Sequence, residues 1–173
     1  DLPGQEIAIT GESATSINLL KVLLMEFCRI GTVSFKVPER SVEACLQDGQ
    51  SALLIGDRAL DAARNCPPGG QITDLGALWY HFTGLPFVFA LWILRREAVE
   101  KFPVDVSALA MQLQASRAYA FEHLPEMAAR LSAGTGFPAA HLEEYWRGIS
   151  YDLTDGHLEG LRLYFAFAIN TVC

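Results

Sequence analysis

The sequence predicts an α/β protein in which a small parallel sheet is followed by a helical C-terminal segment. Short apolar runs alternate with helical patterns over the first half of the chain, which is typical of parallel strands joined by helical crossovers. The run from Leu85 to Leu94 is continuously apolar and rich in aromatic and β-branched residues. That composition is typical of a strand buried on both faces. After Arg96 the pattern is almost entirely helical.

Three strands and their crossover helices are predicted before residue 65. The strands are residues 6–10, 33–37 and 52–55, and the helices begin near Ser13, Pro38 and Asp57. Ser13 or Thr15 is expected to cap the first helix, because a side-chain oxygen there accepts a bond from a free backbone amide. Gly49 is expected to end the second helix in a left-handed conformation.

The second half of the chain is predicted to be helical apart from the apolar run. An amphipathic helix over residues 75–82 is expected to end at Thr83-Gly84 and to bury Trp79, and Trp92 in the run is also expected to lie in the core. A long helix over residues 106–124 is interrupted by Pro125, and further helices begin at Pro138 and Thr154. We therefore expect one α/β lobe over residues 1–96 and a helical segment over residues 97–173.

Composition and charge exclude several classes of function. The chain has 173 residues, 51% of them hydrophobic and 19% charged, which is a globular composition. Thirteen basic and twenty acidic residues give a net charge of -7, so we expect no nucleic-acid partner and no membrane partner. The apolar run is about half as long as the roughly 20 residues that a spanning helix needs. Four cysteines at irregular spacing, without Cys-x-x-Cys, argue against zinc and disulfides and favour reduced thiols in the cytoplasm.

Hydroxyl side chains follow the first predicted strand. Ligands of open parallel sheets bind outside the carboxyl ends of the strands, where helix N-termini present free amides. Thr10, Ser13, Thr15 and Ser16 lie at such a point and suit a carboxylate ligand, although plain helix capping explains the same residues. The segment lacks the glycine patterns of nucleotide-binding loops.

The sequence offers few other candidates for catalytic or metal-binding residues. Asp57 follows the third strand and could act as an acid or hold a substrate hydroxyl, although an N-cap role explains it as well. His81 is expected to be solvated on a polar helix face, and His123, His141 and His157 have no partner at ligand spacing. The sequence shows no Ser-His-Asp or Cys-His arrangement. We expect no metal and no cofactor.

Four blocks of the sequence resemble the chorismate dehydratase family of menaquinone biosynthesis (MqnA). They occur in the family's order and span nearly the whole chain, and the third is the most specific. The blocks are Glu12-Ser-Ala-Thr-Ser16, Ala52-Leu-Leu-Ile-Gly-Asp-Arg-Ala-Leu60, Asp74-Leu-Gly…Trp79…Thr83-Gly-Leu-Pro-Phe-Val-Phe-Ala-Leu-Trp92 and Ile149-Ser-Tyr-Asp-Leu…Glu159-Gly-Leu161. The sister enzyme that cleaves a dehypoxanthine futalosine shares part of this framework, but it usually carries a histidine where this chain has Ile55-Gly-Asp57.

The resemblance implies a two-lobed fold similar to type II periplasmic binding proteins, closing on a small anionic ligand. It implies a hydro-lyase that converts chorismate to 3-[(1-carboxyvinyl)oxy]benzoate and water. Ser13, Thr15 and Ser16 would hold a carboxylate, with Thr10 beside them and Asp57 in the site wall. Family members begin with strands of a first lobe, so the resemblance also implies that this chain corresponds to the C-terminal part.

Two other interpretations stay open at the level of sequence. A binding module of the periplasmic type would hold a small carboxylate without converting it, and the sister enzyme would act on a different substrate. Apolar faces on the C-terminal helices also predict self-association.

Overall fold

The computed structural model describes residues 4–172 of the chain, and the side chains of residues 4–169. The chain divides into two compact units. The first comprises the residues up to Ala90 and those from Leu153 onward, and the second is Leu91–Asp152.

The first unit contains a three-stranded parallel sheet. Its strands are Glu6–Ile9 (β1), Ser34–Lys36 (β2) and Ala52–Leu53 (β3), in the order β2-β1-β3. Ile7 lies opposite Phe35 on one side, and Ile9 lies opposite Leu53 on the other. Both pairings join predicted strands, which confirms the small parallel sheet.

Five α-helices and one π-helical turn accompany this sheet. They are Ala14–Val22 (α1), the π-turn Leu23–Phe27, Val42–Gln47 (α2), Gly56–Arg64 (α3), Leu75–Thr83 (α4) and Asp155–Val172 (α9). Ser41 caps α2 by accepting a bond from the Ala44 amide, so the helix begins four residues after the predicted start at Pro38. The left-handed φ of Gly49 follows the end of α2, as predicted.

Trp79 lies at the centre of the main core of the first unit. Its side chain is fully buried among Leu19, Val22, Leu23 and Tyr164. Rings of Phe87 and Tyr164 meet the indole edge-on, with centroids at 5.6 and 6.3 Å. Aromatic pairs in this geometry add stabilisation beyond the burial of their area.

The predicted buried strand from Leu85 to Leu94 is wrong. Within the described structure this run has no regular secondary structure and pairs with no strand. Its first residues instead pack on α9, where a Cβ built on Gly160 would lie 2.3 Å from the carbonyl oxygen of Pro86. Its last residues are exposed, and Trp92, predicted to be core, is 86% exposed. A strand buried on both faces needs paired neighbours, and the described sheet supplies none here.

The second unit is helical. Its helices are Arg96–Lys101 (α5), Pro103–Glu122 (α6), Leu124–Thr135 (α7) and Ala139–Gly148 (α8). The predicted interruption at Pro125 is confirmed, since α7 begins at Leu124 and carries the proline in its first turn, where no amide hydrogen is needed. Among residues 4–172, no helix is long and apolar enough to cross a membrane.

Candidate functional site

The carboxyl ends of the three strands lie at one edge of the sheet because all the pairings are parallel. The central strand β1 ends at Ile9, and Gly11 takes a left-handed φ of 72° in the loop that leads to α1. The neighbouring strand β3 ends at Leu53, close in sequence to the start of α3 at Gly56. The loops that follow β1 and β3 therefore lie at this edge, and they contain the candidate residues predicted from the sequence.

Ser13 is the N-cap of α1, which settles the choice between Ser13 and Thr15. Its side-chain oxygen accepts a bond from the Ser16 amide at 3.2 Å, and its hydroxyl donates to the Ser16 hydroxyl at 3.0 Å. Among the described contacts, the amides of Ala14 and Thr15 have no acceptor. The first turn of α1 contains no acidic residue. Free amides at the positive end of a helix dipole favour an anion.

Thr10 and Thr15 flank this cap in different ways. The Thr10 hydroxyl accepts a bond from the Glu12 amide at 3.3 Å, so it shapes the loop. Thr15 is half-buried in the first turn of α1, whereas Ser16 is buried. The four hydroxyl residues thus cluster around the start of one helix, and their role in holding a ligand stays a prediction.

Asp57 is not an N-cap. The N-cap of α3 is Ile55, which makes no side-chain capping bond, so Asp57 lies inside the first turn of the helix. The Asp57 side chain is exposed, and the described residues offer it no hydrogen bond or ion pair. Its carboxylate therefore has no described partner at the carboxyl edge of the sheet. A carboxylate in this state can transfer a proton or bind a hydroxyl group.

Arg58 is the residue of this edge that the sequence analysis missed. Its Nε and Nη2 donate to the two carboxylate oxygens of Glu43 in α2, at 2.6 and 2.9 Å. Its Nη1 lies 3.3 Å from a carboxylate oxygen of Glu12, the residue before the α1 cap. The bond from Arg58 lowers the pKa of Glu43 to about 2. A cation directly after Gly56-Asp57, at the helix start that follows a predicted strand, is the signal that could have indicated it.

The other polar positions have local roles. The Thr83 hydroxyl donates to the Trp79 carbonyl at 2.8 Å and accepts from the Leu85 amide at 3.1 Å, which closes the turn after α4. His123 contacts the Tyr119 carbonyl, and His157 contacts the Thr154 hydroxyl. Within residues 4–172, no group of three His, Cys, Asp or Glu side chains could hold a metal ion.

The fold and this edge define an α/β protein in which a hydroxyl-lined helix N-terminus lies at the carboxyl edge of a parallel sheet. Comparison with known proteins identifies the family to which this α/β protein belongs. A family model described as menaquinone biosynthesis matches residues 1–170, and the chain belongs to this family. It is similar to a chorismate dehydratase of Thermus thermophilus, with 32% identity over 172 residues that cover 91% of this chain. The chain spans 60% of the length of that relative.

Proposed function

We propose that this chain carries the substrate-binding edge of a chorismate dehydratase, a hydro-lyase that converts chorismate to 3-[(1-carboxyvinyl)oxy]benzoate and water. The observation that supports it most directly is the start of α1, where a serine cap and two free amides can receive a carboxylate. Membership of the menaquinone biosynthesis family and the likeness to the Thermus enzyme add to this support. Chorismate is a dicarboxylate, so its binding requires such donors.

The reaction removes one proton and one hydroxyl group from neighbouring ring carbons and leaves an aromatic ring. We assign proton transfer to Asp57: its carboxylate accepts the ring proton, and the same proton then leaves with the hydroxyl as water. Ser13, Thr15 and Ser16 hold a substrate carboxylate, with Thr10 shaping the loop, so that the ring is oriented for this transfer. Because aromaticity is gained, orientation and proton transfer suffice for the elimination.

The wider architecture belongs to the same proposal. We propose a fold of the type II periplasmic-binding kind, in which residues 1–96 form one lobe and residues 97–173 form a helical segment. The substrate would lie at the carboxyl edge of the sheet, as ligands do in open parallel sheets. A cytoplasmic location suits this biosynthetic role and the irregularly spaced cysteines.

A turnover assay tests the proposal. Chorismate is incubated with this chain, and with the chain fused to the part of the Thermus enzyme that has no counterpart in it. The aromatic product is followed by absorbance and mass. Product in either sample supports the proposal, whereas chorismate binding without product in both would overturn it.

Two serine caps provide a matched pair of variants for the binding role. Ser13 and Ser41 each accept a bond from a backbone amide at 3.2 Å, but only Ser13 belongs to the predicted site. Ser13→Ala and Ser41→Ala are each expected to lower the free energy of unfolding by about 1 kcal/mol. Only Ser13→Ala should also weaken chorismate binding in calorimetry. Equal affinities in the two variants would leave Ser13 with a capping role alone.

Two carboxylates of α3 provide the test for catalysis. Asp57→Asn should lower kcat by roughly a hundredfold or more, because it removes the group that moves the proton. Asp61→Asn is the control, since the Asp61 carboxylate accepts a bond from the side-chain amide of Asn65, the C-cap of the same helix. A kcat that falls equally in both variants would contradict the assignment.

A further inference from the structure

Arg58 connects two elements at the carboxyl edge of the sheet. It lies in the first turn of α3, and its guanidinium contacts Glu43 of α2 and Glu12 of the loop before α1. Among the ion pairs of the described side chains, this is the one that includes a residue of the loop at positions 10–13. Arg58 is therefore the cation that the structure brings to the start of α1.

The two contacts of Arg58 are unequal. Glu43 engages Nε and Nη2 together, in the two-pronged geometry that fixes a guanidinium most firmly. Glu12 engages Nη1 alone, at a longer distance of 3.3 Å, and its side chain is 54% exposed. An exposed single contact of this kind is easily replaced. Glu43 thus orients the guanidinium, and Nη1 is left with a carboxylate that a ligand can displace.

The position of Glu12 indicates which groups would contact a ligand bound at Nη1. Glu12 immediately precedes Ser13, whose capped helix offers the free amides of Ala14 and Thr15. A chain with a net charge of -7 repels a dianion unless cationic groups act locally. The guanidinium beside this loop supplies that local charge, and its N–H groups are suitable donors to a carboxylate.

We propose that Nη1 of Arg58 binds a carboxylate of the substrate, and that Glu12 occupies this position in the absence of substrate. The inference rests on the proposed function and adds a binding residue to it. Substrate entry replaces one carboxylate by another at Nη1, so the guanidinium keeps two carboxylate partners. Glu12 then acts as an internal competitor, and Glu43 is the positioning residue that keeps the guanidinium aimed at the loop.

Chorismate binding to the 173-residue chain, measured by calorimetry, tests the proposal. Arg58→Gln should weaken binding roughly ten- to hundredfold, because a hydrogen bond to a charged group is lost. Arg58→Lys keeps the charge without the fork and should fall between this variant and the unmodified chain. Glu12→Gln should tighten binding by up to about fivefold, because the competing carboxylate is removed.

Arg40→Gln is the matched control for charge. Arg40 pairs with Asp48 at the end of α2, so this variant removes one positive charge from the same unit and leaves Arg58 in place. Its affinity for chorismate should stay within about twofold of the unmodified chain. Circular dichroism spectra of all the variants check that each is folded. If Arg58→Gln does not fold, Arg58→Lys replaces it as the test of Arg58.

The outcomes separate this inference from the proposed function. Equal affinities in the Arg58→Gln and Arg40→Gln variants, with no gain in Glu12→Gln, would overturn the role of Arg58 while chorismate binding stands. If the chain binds benzoate or citrate but not chorismate, and binding still depends on Arg58, the carboxylate position is supported and the proposed substrate fails. If none of the three carboxylates binds and the fusion with the Thermus part also gives no product, both proposals are overturned.

Discussion

Helices α1 and α6 differ in what covers their apolar side chains. Leu19 and Val22 of α1 are fully buried in the Trp79 cluster, with α9 packed beside them. In α6, none of the twenty residues is buried, and Met111 is 62% exposed. Both helices are rich in apolar residues. The difference shows that burial is decided by the neighbouring elements, because composition alone would predict a core for each helix.

The largest effect is expected at the centre of the first unit. Trp79→Ala removes the side chain that Phe87 and Tyr164 meet edge-on, and should lower the free energy of unfolding by about 3–5 kcal/mol. Trp79→Phe should cost less, because it fills part of the space and removes a buried indole NH that has no partner in the described structure. Urea denaturation measures both. A loss below about 1 kcal/mol for Trp79→Ala, a third of the smallest loss expected, would mean that this cluster is not the core of the first unit.

A second test concerns the contact between α9 and the apolar run. Gly160→Ala places a methyl group against the Pro86 carbonyl, so we expect a loss of about 1–3 kcal/mol in the free energy of unfolding. Gly134→Ala in α7 is the control from the second unit, because a Cβ there meets no atom within 4 Å. It should stabilise the chain by roughly 0.5 kcal/mol through the higher helix propensity of alanine. Losses of equal size in the two variants would contradict the packing of Pro86 on α9.

The ion pair of Glu43 and Arg58 makes the stability of the first unit depend on pH. Glu43 has a pKa of about 2 in the folded chain against an ordinary value of 4.5 when unfolded, so the unfolded chain takes up the proton first. The stabilisation from the pair is complete above pH 4.5 and is lost as the pH falls towards 2. Urea denaturation across this range should show a flatter pH dependence for Glu43→Gln. Glu39→Gln, which removes a carboxylate without a described ion pair, should keep the original slope.

The smallest effect is expected on the exposed side of α6. Met111→Lys should change the free energy of unfolding by less than about 0.5 kcal/mol, because the side chain is already in solvent. Leu19→Ala in α1 should cost about 2–5 kcal/mol in the same experiment. We also expect Met111→Lys to reduce self-association through the exposed helices in sedimentation measurements. A large loss of stability on Met111→Lys would show that α6 is covered in solution.

One part of the candidate site, the hydroxyl cluster, could be located from the sequence, and another part, Arg58, could not. The hydroxyl cluster around Ser13 could be located because a strand, a turn and a helix start follow one another in the chain, and a cap depends only on residues three positions apart. Arg58 could not be located in this way. Its partners Glu12 and Glu43 are distant in sequence, and only the parallel pairing of the strands brings these loops to one edge.

The sequence by itself determined three parallel strands, a hydroxyl cap at Ser13 or Thr15, the left-handed Gly49 and the interruption at Pro125. Each of these depends on periodicity or on the backbone preferences of single residues, which act within a few positions of the chain. Tertiary structure alone decided that Trp79 is buried while Trp92 is exposed, and that the run after Gly84 packs on α9 instead of pairing as a strand. Burial and pairing depend on which distant elements meet, and two tryptophans in equally apolar surroundings carry no local signal of that difference.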